Sequence, residues 1–433
     1  MKVNKNISNN IVLEDKKISI AIMSPFVILS IQYLILIYFQ LIGTNIGQLI
    51  QLISKIIASF FYLSVLLIIL RRNKTKFFGV YLITIIIFMY NLLFFPQNWE
   101  YLKLVIFPLF FTCLPSFVYA YSIDDQEILM SIMEKASKIV FIVSLILSIL
   151  VFIGRSSVGS YSMVLSYYML LPSIIYLNKL IDNFSLKYAT YLLILLFVIF
   201  GLGARGPVLC VGIFGILKIL RLFDRITLFG ISTCIIMFFI IMIGFIYKDA
   251  ILTYINGLFL NMGIRSRTLT LFLKKDIHLS GREELYKTVS DSIFANPILG
   301  TGLAGDRFVL GGTYSHNIFL ELLAHFGFIA GFFIIVAILT ILIKNLFIKD
   351  INKYNIFIIW LAIGFIPLFV SSSYLIDFRF WTLLGLAGKT LKTKRYRKTY
   401  HLNNNIMHVS IRNRIQQEIN AVGGYTCHSQ KES

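Results

Sequence analysis

The chain has 433 residues, 58% hydrophobic, 15% aromatic and only 14% charged, with a mean hydropathy of +0.82. A water-soluble protein would carry about a quarter charged residues, so this composition excludes an ordinary soluble enzyme or binding module. The formal net charge of +20 does not indicate nucleic acid, because the basic residues sit where membrane orientation would put them.

Long apolar runs recur from Ile18 to Gly388, each near the ~20 residues a helix needs to cross hydrocarbon. They are continuous rather than alternating, which selects helices over a barrel. Twelve spans are expected, at about 20–42, 46–70, 77–95, 101–122, 137–154, 159–178, 188–204, 206–220, 226–247, 315–344, 355–373 and 376–390. The first run is long enough to span and lacks a small-residue cleavage site, so no cleavable signal peptide is expected. Cys113, Cys210 and Cys234 lie in apolar runs and Cys427 in the tail, with neither metal spacing nor a disulfide framework.

With the N-terminus in the cytoplasm, the cytoplasmic segments become 1–19, 71–76, 123–138, 178–187, 218–225, 344–353 and the tail from Lys389. These hold 27 of the 40 Lys and Arg residues, whereas the short exterior connections hold only Arg155, Arg205 and Arg379. One miscounted span would invert every later loop, so the bias supports an even number of spans with both termini cytoplasmic. The expectation is an all-α polytopic membrane protein of about 12 transmembrane helices. A cytoplasmic segment 1–19 leads into one membrane domain, 20–390. That domain carries a large exoplasmic loop at about 248–314, and a basic, disordered cytoplasmic tail at 391–433 follows it. The paired acids of IDDQE, 123–127, have no His partner and read as a solvated face.

Residues 297–308, PILGTGLAGDRF, place Gly300, Gly302 and Gly305 in the order G-x-G-x-x-G. That spacing cradles a dinucleotide only when a strand precedes it and a helix opens on it. The preceding SGREELYKTVSDSIFANP reads instead as an amphipathic helix. Ser280 and Glu283 have capping-box spacing, Leu285, Val289 and Ile293 share a face, and Pro297 ends it. A tight turn that folds the loop onto the membrane is expected, and no nucleotide site.

The candidate site residues lie on the expected outer face. Arg205 sits between two apolar runs, where a cation is either functional or a snorkelling anchor. Arg282 stands in the first turn of the loop helix. There it either converges with the helix end on an anion such as a diphosphate or pairs with Glu283 or Glu284 on a solvated face. His316 and Asn317 stand where the tenth span begins; a lone His is structural or takes a proton from a sugar hydroxyl. Thr313, Asn317, Glu321 and His325 follow at intervals of four and so share a face. Such a stripe lines a wet interior or bonds helices together. Lys55 and Lys103 fall in outer halves of spans, as snorkelling residues or as part of an anion site. Tyr314, Asp377 and Arg379 are further exterior candidates. There is no D-x-D signal in the loop, and neither metal nor cofactor is expected.

The order S-G-R, amphipathic helix, N-P-x-x-G-x-G, then H-N-x-x-L-E-x-x-x-x-x-G resembles the bacterial O-antigen polymerase and O-antigen ligase family. GARGP at 203–207 and DFRFWTLLGL at 377–386 are similar to two further parts of that family's pattern, so the likeness runs from about Gly201 to Gly388. The resemblance implies a GT-C-like fold and a metal-independent glycosyltransferase of the bacterial cytoplasmic (inner) membrane, working on its outer face. Its donor would be an undecaprenyl-diphosphate-linked oligosaccharide. Arg205 and Arg282 would hold the diphosphate and His316 would activate the acceptor, with Asn317, Glu321, Tyr314, Lys55, Lys103 and Arg379 as substrate-binding candidates. Membrane lipid and a chain-length regulator protein are the implied partners, with no nucleic acid. The aromatic, Ile- and Asn-rich character favours a repeat-unit polymerase of O-antigen or capsule. A ligase to lipid A-core or protein is the alternative within the family, and a lipid-linked oligosaccharide flippase the alternative outside it. A flippase predicts internal repeats and midplane charges, which the sequence does not display.

Overall fold

The computed structural model describes residues 2–152, 163–202, 204–223, 247–261, 269, 273 and 282–392. Expectations about Arg155, Ser280, Gly281, the span at 226–247 and the tail beyond 392 lie outside the described residues. Among these residues all regular structure is helical. Two units divide the chain, Met1–Ala387 and Gly388–Ser433, and the second is described only over 388–392, which are helical.

In chain order the helices are α1 (Lys2–Tyr38), α2 (Asn45–Ser64), α3 (Leu66–Phe94), α4 (Trp99–Pro108), α5 (Leu114–Ser122), α6 (Gln126–Phe152), α7 (Met163–Tyr168) and α8 (Leu170–Asp182). They continue as α9 (Leu186–Gly201), α10 (Arg205–Phe223), α11 (Lys248–Asn261), α12 (Arg282–Ala295), α13 (Gly305–Val309), α14 (Ile318–Leu346) and α15 (Ile351–Trp360), and residues 378–387 are helical too. A single π-turn, Leu109–Cys113, joins α4 to α5, and α15 runs on through Leu361–Phe365 and Ile366–Phe369. Six of these stretches are long and apolar enough to cross a membrane: Asn10–Tyr38, Asn45–Ser64, Leu66–Phe94, Pro96–Ser122, Ile318–Leu346 and Ile351–Phe369. The expected count of twelve is therefore matched at full length by six among the described residues. The reasons are local. α9 has 16 residues. α10 carries Arg205, Lys218 and Arg221, and the predicted sixth span is interrupted at Met169 between α7 and α8.

The basic stretch RRNKTK, expected as a connecting loop, is helical except for a kink at Asn73, whose φ of −145° and ψ of 45° leave the helical region. The Asn73 side-chain amide donates to the Ser122 hydroxyl at 2.8 Å.

Membrane character shows in what is left uncovered. Leu67, Leu93 and Phe333 are 79%, 74% and 67% exposed, on α3 and α14, in apolar belts that would demand a partner in water. α1 is the opposite case, with Ile18, Ile22, Met23, Leu36 and Ile37 buried as it packs against α2, α5 and α6.

The segments that the charge bias assigns to one side meet one another. Arg72 donates to Glu14 at 2.9 Å, Asp15 at 2.5 Å and the Ser122 carbonyl at 3.1 Å, while Asp15 accepts the Asp125 amide at 2.7 Å. Further along the same end, Lys179 pairs with Glu134 at 2.6 Å and buried Lys218 with Asp182 at 2.7 Å. Asn352 donates to Glu127 at 2.7 Å. The candidate site residues belong to none of these pairs.

Candidate functional site

The glycine turn creates the site's scaffold. α12 ends at Ala295 ahead of Pro297 as expected, with Val289 and Ile293 buried. Gly300 and Gly302 then take φ values of 70° and 81°, the left-handed region that only glycine enters freely. The turn docks on α14, which is broken at Gly327 (φ 73°, ψ 178°). The Thr301 amide donates to the Ala324 carbonyl at 2.6 Å, and the Phe328 amide donates to the Pro297 carbonyl at 2.7 Å. The loop therefore supplies both partners of the helical bond that α14 lacks there. A broken helix in an apolar stretch needs its freed backbone groups satisfied by protein, and here they are. Two asparagines fasten the turn from α3 and the α3–α4 connection. Asn91 accepts the Leu303 amide at 2.5 Å, and Asn98 donates to the carbonyls of Thr301 at 2.7 Å and Leu303 at 3.2 Å. Its three glycines have a packing role.

After this turn, α13 delivers Asp306 and Arg307 into the interior, both buried. Asp306 accepts the Ser315 amide on one oxygen at 3.0 Å and bonds His325 Nε2 on the other at 2.8 Å. His325 Nδ1 is 2.8 Å from the Tyr374 hydroxyl. Arg307 donates to Ser373 Oγ at 2.9 Å and lies 4.0 Å from Glu321, to which the Ser373 hydroxyl also donates. Burial would raise the Asp306 carboxyl, but His325 and Arg307 beside it hold it below the usual carboxylate range.

His316 stands above this network in a left-handed backbone, φ 54°. Its ring lies 4.3 Å from the Tyr314 ring, and the Tyr314 hydroxyl donates to the Ser371 carbonyl at 2.8 Å. The Arg307 guanidinium also lies over the Tyr314 ring, at 5.7 Å. Half-burial and the nearby Arg282 charge both push the His316 imidazole below its ordinary value, against a backbone bond at Ser371 and the charge of Asp306. Its Nδ1 is buried with no hydrogen-bond partner. The Arg282 charge thus reaches His316, although the two are 34 positions apart in the chain.

Arg205 opens α10, half-buried. The adjoining Gly206 lies so close to Tyr167 that a Cβ would fall 2.0 Å from its hydroxyl, with Val370 at 3.3 Å. Tyr167, Tyr314, Ser371, Asp377 and Arg379 line one cavity of about 320 Å³, floored by Phe26 and Leu29 of α1. Tyr167 also feels the charges of Arg379 and Arg282. Arg379 is held by Asp377, at 2.8 and 2.5 Å.

Residues 190–335 match the O-antigen ligase family. The resemblance read from the motifs is borne out over that region. No curated protein and no solved structure matches the chain. The O-antigen ligase match takes in Arg205, Arg282, His316 and Glu321, and supports O-antigen ligase/polymerase-type function and a general enzymatic role in a multi-pass membrane protein.

Other predicted residues fall elsewhere. Lys103 is exposed and pairs with Glu100 one turn away; Lys55 is exposed on α2. The four-residue stripe is corrected. Thr313 precedes the helix, and Asn317 is its N-cap, extended at φ −146° and accepting the amides of Phe319 and Leu320. Only Glu321 and His325 share a helix face, because α14 starts one residue after Asn317. Asp306, Glu321 and His325 bring potential ligand atoms within 4.8 Å. Each is already bonded to protein groups, and the Arg307 guanidinium supplies the positive charge there.

Sequence reading missed Asp306, Arg307, Ser373 and Tyr374. The one available signal was the charged pair in GDRF, set between a glycine turn and an apolar stretch, where charges need partners.

Proposed function

We propose that this protein polymerises lipid-linked oligosaccharide repeat units of a surface polysaccharide. The transfer would take place on the outer face of the bacterial cytoplasmic membrane, from a polyprenyl-diphosphate-linked glycan. The observation that carries the reading is a half-buried His316 whose Nδ1 has no protein partner and which the Arg282 charge reaches.

The acceptor hydroxyl oxygen forms a bond to the donor's anomeric carbon as the bond from that carbon to the diphosphate oxygen breaks. The diphosphate departs with the electron pair, and the hydroxyl proton passes to His316. Arg282 and Arg205 stabilise the charge growing on the leaving diphosphate, where preorganised cations act most strongly. Burial and the Arg282 charge keep the imidazole neutral, as a base must be. Arg379, Tyr314, Asn317 and Glu321 shape the surroundings, and the loop that carries the glycine turn limits access of water to the donor.

The name of the matched family favours a second reading, transfer of the finished glycan to lipid A-core or protein. Purified protein incubated with a lipid-linked repeat unit alone separates them. A ladder of longer chains supports the polymerase, and a product that needs an added acceptor supports the ligase. No covalent change would favour a flippase.

A further inference from the structure

We propose that Asp306, steadied by His325, is a positioning residue that sets His316 for proton transfer. The inference deepens the glycosyl-transfer reading and rests on it.

Ser315, the residue before His316, gives its amide to Asp306 at 3.0 Å. The following residue, Asn317, is fixed as the cap of α14. Between these two anchors His316 adopts φ 54°, a conformation that a residue with a Cβ avoids unless its surroundings impose it. Asp306 is itself immobilised from two directions. His325 Nε2 of α14 holds one carboxylate oxygen at 2.8 Å, and the Tyr374 hydroxyl holds Nδ1 of that imidazole at 2.8 Å. All three side chains are buried, so Asp306 is enclosed as well as bonded. Such a supported shell is what a base needs in order to stay aimed. Asp306 also places a negative charge near His316, opposed by Arg282 from α12; Tyr314 and the Ser371 backbone complete the facing groups.

A merely structural Asp306 would stabilise the loop without acting on His316, and chemical labelling separates the two roles without needing turnover. The full chain in detergent is treated with diethyl pyrocarbonate across a pH series, and modification of His316 is read by mass spectrometry. Asp306→Asn keeps an acceptor for Ser315 and offers its amide to a neutral His325, while removing the charge. The expected result is a His316 midpoint displaced to lower pH by about half a unit, since the neutral ring then persists further into acid. Asp306→Ala releases Ser315, and the plateau labelling rate of His316 rises by about threefold or more, with His325 still protected as the sign of a folded chain. An unmoved midpoint in the asparagine variant overturns the proposal, and that variant keeps the test open should the alanine variant unfold.

The transfer assay is the second arm. Asp306→Asn should lower kcat about tenfold, with KM for the lipid-linked unit unchanged. A kcat within about twofold of the parent overturns the positioning role. If the parent protein itself transfers nothing, the reaction assignment fails, while the labelling series still decides whether Asp306 governs His316.

Discussion

Ala324 and Phe328 sit one turn apart in α14, yet neither completes the helical bond between them. The carbonyl of the first takes the Thr301 amide, and the amide of the second goes to the Pro297 carbonyl. Gly327 makes this possible, and a Cβ on it would lie 2.2 Å from the Ile298 carbonyl oxygen. Gly327→Ala should therefore destabilise the protein by roughly 2 kcal/mol or more, combining a positive-φ penalty with a backbone clash. Gly212→Ala in α10 meets nothing within 4 Å and should be neutral or stabilising by about 0.5–1 kcal/mol. Thermal melts of both variants in one detergent make the comparison, and equal midpoints would remove the clamp argument.

The three residues assigned to the reaction should fail together. Arg205→Ala, Arg282→Ala and His316→Ala are each expected to lower turnover at least about a hundredfold, with normal membrane insertion and unchanged melting. Lys103→Ala, which breaks only an exposed pair with Glu100, should change turnover less than about threefold. Full activity in all three of the first group would remove the site assignment.

The acidic limb of the rate profile should respond to Arg282. Burial, then the Arg282 charge, lowers the His316 value, so the neutral base survives to lower pH than an ordinary imidazole. Taking away the positive charge in Arg282→Gln lets that value rise, and the neutral fraction at mildly acidic pH shrinks. His316 labelling should show a midpoint about half a unit higher, opposite in sign to the shift expected for Asp306→Asn. A midpoint that moves down, or stays put, contradicts the influence of Arg282 on His316.

At the other end of the bundle, Arg72→Ala should cost roughly 3 kcal/mol, since it leaves Asp15, which is 0% exposed, without its cation. Adding Asp15→Asn should recover part of that loss, and a full thermodynamic cycle over the four proteins measures the coupling. Activity per folded molecule should be unaltered, because among the described residues no candidate site residue is bonded to this cluster.

Part of this was legible in the residues. Apolar run length announced the six full-length spanning stretches, Pro297 announced the end of α12, and the amphipathic helix read ahead of Gly300, Gly302 and Gly305 is present. Charge bias along the chain grouped Glu14, Arg72 and Asp124, which the structure brings together. What sequence could not reveal was pairing over distance. Nothing local to Asp306 says that it meets His325, or local to Asn98 that it meets Thr301, because such contacts follow from helix packing. Spacing by four misled at Thr313 and Asn317 for a related reason. It presumes a helix already running, and here the cap itself is one of the spaced residues.

Asn91 and Asn98 leave the ribosome some two hundred residues before the carbonyls and amide they will bind. Until then their amide groups must bide in a half-built bundle, and the turn cannot lock while the early helices are missing. Biogenesis thus imposes an order: the front of the chain is laid down as a receptacle, and the chemistry-bearing loop closes into it last. An excised 190–335 fragment, for all its family likeness, would be a key without its keyhole.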